Sequence, residues 1–224
     1  MLLIYLLNLL IHNPLQFIIT ITIIIVPLFM SIAFHEWAHG YLAYKFGDPT
    51  PMLQGRLTLN PFAHLDPVGT LMLFIVGIGW AKPIMLNPLN YPDKTKQMLV
   101  ALAGPASNFL LAVIFSFILV SVQLSTKGEI SQTIATSLFI IIRVNLILAI
   151  FNSIPIPPLD GSKVLAWMLP ERAAYQYLLL EPYGLLFILL MLFTVGFSFI
   201  ITTADFVQLK LLEFIKSFVT NYVL

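Results

Sequence analysis

Long apolar stretches separated by short polar ones dominate the chain, and their lengths predict its elements. Runs long enough to cross a bilayer as helix, on the order of twenty residues, occupy 15–44, 98–124, 133–154 and 175–202. Two shorter runs leave alternatives open. Residues 1–13 are too short to cross alone, so they either lie in the interface or extend the bundle. They have no basic segment and no small-residue cleavage site, and are not read as a removed signal peptide. Residues 68–80 contain Gly69, Gly77 and Gly79 and are also short for a crossing.

Between the first two long runs, over 47–97, Gly47-Asp48-Pro49-Thr50-Pro51 stops the first helix. Met52–Pro61 alternates weakly between turn residues, and Ala81–Pro88 is a candidate partner strand. After the third run, the segment to 161 is rich in proline and closes on Asp160-Gly161. In the tail, 205–224, Phe206, Leu209, Leu212 and Phe218 are set against Lys210, Glu213 and Lys216. That spacing suits an amphipathic helix, either interfacial or the solvated end of the last span. The expected fold is an all-α polytopic membrane protein, one domain over 1–224. Its bundle holds about four to six transmembrane helices, with a short re-entrant or β-hairpin element between the first two long ones.

Composition agrees. The chain is 59% hydrophobic and only 9% charged, against about a quarter charged in soluble domains. Its length leaves no room for a separate soluble domain of ordinary size. A formal charge of +1 argues against nucleic acid as a partner. With no cysteine, any metal site must be built from histidine and carboxylate.

The chemistry lies in His35-Glu36-Trp37-Ala38-His39, inside the first long helix. Histidines at i and i+4 share one helix face and can share one metal ion. Glu36 is placed to act as general base on a water at that metal. Polar groups in hydrocarbon are costly and mark function. Hydrolytic zinc usually takes three protein ligands. The candidate third is Asp160, where Pro155, Pro157 and Pro158 prevent the third helix from continuing. Irregular backbone at membrane depth is tolerated where it is buried in protein or lines a wet cavity, and a carboxylate there needs a cationic partner.

Topology tests this set. His35 and His39 lie near the end of the first helix and Asp160 just past the end of the third, so the two helices must run parallel. One antiparallel helix, 98–124, separates them, provided 68–80 does not cross fully. The charges prefer the same solution. Lys45, Arg56, Lys82, Lys94, Lys96, Lys163 and Arg172 then share the metal side, and only Lys127, Lys210 and Lys216 the other. A full crossing by 68–80 would split them evenly. The positive-inside rule thus puts the site near the cytoplasmic face of a multi-pass cell-membrane protein, with the metal roughly 8–14 Å below that face.

These residues resemble the site-2 proteases, intramembrane zinc metalloproteases of peptidase family M50. The likeness rests on His35–Gly40, on Ala103-Gly104-Pro105-Ala106-Ser107-Asn108 and on Asn152–Gly161. Leu59–Thr70 and Gly79–Pro83 are similar to the compact prokaryotic branch without PDZ or CBS domains. The resemblance implies one Zn²⁺ per chain held by His35, His39 and Asp160, with Glu36 activating water. It also implies cleavage of a locally unwound transmembrane helix of a membrane-protein substrate, in regulated proteolysis. Asn152 matches a family asparagine near the site, holding either substrate backbone or oxyanion, or else bonding helix to helix.

Other polar residues are open to two readings. Asn108 either bonds near the site or serves helix packing. His64, with Asp66, is a candidate gate or supporting group at the re-entrant loop, or a structural loop histidine. Arg143 needs a partner the sequence does not identify, or snorkels to the outer face. His12 reads as interfacial, and Trp37, Trp80 and Trp167 as anchors or packing. A metal transporter would predict a continuous polar path, and a silent module the loss of Glu36 or a ligand; neither pattern is visible.

Overall fold

The computed structural model describes residues 2–76 and 79–222. Met1, Gly77, Ile78, Val223 and Leu224, which fall in the N-terminal run, the re-entrant run and the tail, lie outside the described residues. The helices are α1 (Leu2–His12), α2 (Pro14–Lys45), α3 (Thr50–Leu53), α4 (Pro67–Val76), α5 (Lys94–Ser125), α6 (Gln132–Asn152), α7 (Asp160–Met168), α8 (Glu171–Leu178), α9 (Gly184–Leu192) and α10 (Val195–Tyr222). Among the described residues, five segments are long and apolar enough to cross a membrane: α2, α5, α6, Glu171–Leu192 and α10.

Local signals set the ends of the long helices. Asn13 Oδ1 accepts from Gln16 N–H at 3.1 Å just before Pro14, and Asp93 Oδ1 from Thr95 N–H at 2.7 Å. At the far end of α2 the chain turns through Gly47 at φ 110°, a conformation that costs glycine little.

α2, α5, α6 and α10 form the bundle. Ala112 and Leu119 of α5, Ile142 and Leu146 of α6 and Ala204 of α10 build one fully buried core. Contacts fix the directions. Val100 of α5 meets His39 while Asn108 meets Ser31, so α5 runs antiparallel to α2. Asn108 also meets Asn145, and α6 comes back parallel to α2. This is the arrangement the shared metal requires. α4 has 10 residues, about 15 Å of helix, and cannot cross.

The hairpin expected from Met52–Pro61 and Ala81–Pro88 does not form. Among the described residues there is no strand, only an isolated antiparallel bridge between Leu65 and Ala81. The donors of the second segment are taken elsewhere. Lys82 N–H donates to His64 O at 2.8 Å, Ile84 N–H to Glu36 Oε2 at 2.9 Å and Asn87 N–H to Asp48 Oδ2 at 2.7 Å. Pro83 and Pro88 have none to give. The segment is therefore extended but pinned by carboxylates rather than paired.

The run 175–202 is not one helix. It breaks around Glu181-Pro182-Tyr183 and again at Phe193-Thr194. Its last residues open α10, and the expected separate tail is the second half of that helix. Asp205 meets Arg143, Gln208 meets Phe139, and Ile215 and Val219 pack on Val120. α10 thus runs antiparallel to α6 and parallel to α5. Because Glu171 pairs with Lys94 and α10 also begins at that end, the chain from 171 to 195 leaves and returns on one side.

Candidate metal centre and its cavity

His35 and His39 face inward from α2, one turn apart and buried, and Asp160 opens α7 beside them, also buried. The two Nε2 atoms are 3.1 Å apart. Asp160 Oδ2 lies 3.1 Å from His35 Nε2 and 3.0 Å from His39 Nε2. Tetrahedral ligation at about 2.0–2.1 Å sets donor atoms about 3.3–3.4 Å apart, so the triangle needs only a few tenths of an ångström to hold an ion.

Proton placement supports the fit. His39 Nδ1 sits 2.7 Å from Val100 O, a pure acceptor. Nδ1 therefore carries a proton, and in the neutral imidazole that a metal ligand must be, Nε2 presents the lone pair. His35 Nδ1 lies 2.7 Å from Asn108 Oδ1, with the same consequence. With both rings neutral, two imidazole lone pairs and a carboxylate oxygen converge, a donor set for a cation.

The backbone of α5 makes room for this cluster. A Cβ on Gly104 would lie 2.6 Å from both Cε1 and Nε2 of His35 and nearer still to His39 Nε2. Gly161 does the same for Asp160: a Cβ there would stand 2.7 Å from Ile154 O and closer to Ser153 O. α7 thereby starts directly against the turn that ends α6. The cationic partner expected for Asp160 is Lys163, whose Nζ is 3.4 Å from Oδ1.

Glu36 borders the same cavity, of about 870 Å³, with Met85, Met98, Asn152, Trp167 and Leu178 among its walls. Such a volume lies within the usual range of ligand-binding clefts. Ile84 N–H occupies Glu36 Oε2, and among the described residues Oε1 has no hydrogen-bond partner. Asn152 lies on the wall, its Nδ2 donating to Leu148 O at 3.0 Å. Asn108 is brought to the cluster itself. His64 is not: it is fully buried in its loop, Nε2 2.8 Å from Thr58 O, and does not line the cavity. Asp66 Oδ1 accepts from Gly69 N–H at the start of α4. Arg143 has its partner in Asp205, Nη2 to Oδ1 at 2.8 Å.

Asp48 anchors the cavity's extended wall to the end of α2. Burial pushes its carboxyl up, but bonds from Asn87 N–H, Thr50 and Asn90 outweigh this and hold it below the usual carboxylate range. Neighbouring Tyr91 is pushed up to about 12, by burial first and then by the Asp48 charge.

Sequence reading missed Ile84, Asn145 and the Asp205 partnership. For Asn145 and Asp205 a signal existed, since each is a polar side chain within a membrane-crossing helix. For Ile84 there was none, because a main-chain donor leaves no trace in residue type.

A polytopic helical bundle with a buried His–His–Asp cluster beside a glutamate defines a membrane-embedded zinc metallopeptidase. The chain belongs to Peptidase family M50, whose model matches residues 23–192. It is 39% identical over 175 residues to the "Putative zinc metalloprotease YwhC" of Bacillus subtilis, covering 76% of this chain and 80% of the relative. It is 27% identical over 187 residues to the "Putative zinc metalloprotease Rip2" of Mycolicibacterium smegmatis, covering 81% and 71%. The "Zinc metalloprotease MJ0392" of Methanocaldococcus jannaschii is 23% identical over 153 residues, covering 68% of this chain and 36% of the relative. No solved structure matches the chain.

Proposed function

We propose that this metallopeptidase cleaves peptide bonds in or near transmembrane segments of membrane-protein substrates, as in regulated intramembrane proteolysis. The observation that carries this reading is the depth of the cluster. His39 is six residues from the end of α2 and His35 ten, about 9 and 15 Å along the helix. The relatives' names supply the protease and the zinc.

His35 Nε2, His39 Nε2 and Asp160 Oδ2 would hold one Zn²⁺ per chain. Bound zinc supplies a Lewis acid that brings the pKa of water near 7 and polarises a carbonyl. Glu36 Oε1 takes a proton from the attacking water and passes it to the leaving amine nitrogen. Ile84 N–H keeps the carboxylate turned to that task. Asn152, on the cavity wall, offers an amide for the substrate backbone or the developing oxyanion. The site faces the cytoplasm. The metal end of the bundle carries the excess of lysine and arginine, while Lys127 and Lys216 line one cavity at the other end.

The test combines metal content and cleavage in purified protein. His35→Ala, His39→Ala and Asp160→Ala lose zinc and activity together, whereas Glu36→Gln keeps about one zinc per chain and loses cleavage of a membrane-inserted substrate. Normal zinc and cleavage in Asp160→Ala overturn the ligand assignment.

A further inference from the structure

Behind the metal cluster, two asparagines form a buried relay that reaches the third helix of the bundle. Asn108 and Asn145 are 0% and 1% exposed. Asn145 Nδ2 donates to Ile141 O at 2.9 Å, an acceptor that permits only the amide nitrogen at that position. Its Oδ1 is thereby turned to Asn108 and accepts from Asn108 Nδ2 at 3.0 Å. Asn108 Nδ2 also donates to Ser31 O at 3.1 Å. With both donors committed, Asn108 Oδ1 must face His35, whose Nδ1 lies 2.7 Å away. Ile141 O orients Asn145, Asn145 Oδ1 and Ser31 O together orient Asn108, and the chain of consequences ends on a ring nitrogen.

We infer that Asn145 is a positioning residue for the metal centre, acting through Asn108 to keep the proton of His35 on Nδ1 and the lone pair of Nε2 on the ion. Asn145 does not itself touch the metal ligands; its side chain reaches Asn108 and Ile141 O. Removing it takes one of the two acceptors of Asn108 Nδ2 and leaves Ser31 O as the single bond opposing rotation of an amide that would present a donor where His35 needs an acceptor. Partners that orient a ligating histidine typically matter 10–100-fold in metal affinity. Asn108, in direct contact, belongs at the upper end of that range and Asn145 at the lower.

The inference rests on zinc being held by His35, His39 and Asp160, and the experiment separates the two. Zn²⁺ affinity is measured on the purified full chain by competition with a chelator. The variants are Asn145→Leu, Asn108→Leu, the double variant, His35→Ala, and Gln208→Leu as a buried control on α10, where Nε2 bonds Phe139 O. Thermal unfolding at saturating zinc reports folding, and Asn145→Ala replaces Asn145→Leu should the latter not fold. The expected result is a loss of about tenfold for Asn145→Leu and approaching 100-fold for Asn108→Leu. The double variant is no worse than Asn108→Leu, because Asn145 acts only through Asn108, and Gln208→Leu stays within twofold. An Asn145 variant within twofold of wild type, losses that multiply in the double variant, or an equal loss in Gln208→Leu overturns the relay. Retention of zinc by His35→Ala overturns the site reading beneath it.

Discussion

Gly104→Ala asks the most of the geometry for the least chemical change. Alanine is a better helix former than glycine by about 1 kcal/mol, and Gly104 lies inside α5, so propensity favours the variant. The added methyl, however, would sit 2.6 Å from His35 Nε2, with His39 Nε2 closer. Reaching ordinary contact of 3.4 Å or more moves an imidazole by about 0.8 Å, and ligand distances in metal sites hold to about 0.2 Å. Neither ring can yield without surrendering its bond to Val100 O or to Asn108. A displacement several times the tolerance should cost at least about 100-fold in zinc affinity, or about 2.8 kcal/mol at 1.4 kcal/mol per tenfold. The assay is zinc per chain after dialysis against graded chelator, beside far-UV circular dichroism to show that the helices persist. A folded Gly104→Ala protein with wild-type zinc affinity would refute the cradle argument.

Other perturbations follow from named contacts. Ile84→Pro deletes the N–H that holds Glu36 Oε2. Losing a bond to a charged group is worth about 1.5–3 kcal/mol, so kcat should drop roughly tenfold or more while zinc content is unchanged. Asp48 has a folded pKa below its unfolded value. Its stabilisation is therefore present above about pH 4 and lost as pH falls through the folded value, and Asp48→Asn should flatten this acid limb of a Tm-versus-pH profile. Arg143→Leu leaves Asp205 unpaired mid-helix, at a cost of about 2.5–3.5 kcal/mol. Arg143→Leu with Asp205→Leu should recover most of it in detergent unfolding.

Much of the centre was legible in the chain itself. The i, i+4 histidines carry their own geometry, and the parallel helix that Asp160 was required to arrive on is the α6 observed, with α4, between α2 and α5, only 10 residues long. What was not legible depends on who satisfies whom. Alternation suggested a hairpin, but Glu36, Asp48 and the His64 carbonyl take the N–H groups a partner strand would need. Hydropathy drew one span over 175–202, yet Pro182 and the turn at Phe193-Thr194 divide it, and its last residues belong to Val195–Tyr222, which pairs with α6. Arg143 was recognised as costly, while its partner lies 62 residues away on another helix, a distance no local pattern reports.

The central claim is that a zinc site set within the bilayer hydrolyses peptide bonds there, with Glu36 moving the proton. It is tested most directly by mass spectrometry of the products from a transmembrane peptide co-reconstituted with the protein in lipid vesicles. The account predicts a single cut inside the apolar segment, roughly 8–14 Å from its cytoplasmic end, abolished by Glu36→Gln at unchanged zinc content. Cuts confined to the water-exposed flanks, or an intramembrane cut that survives Glu36→Gln, would contradict it.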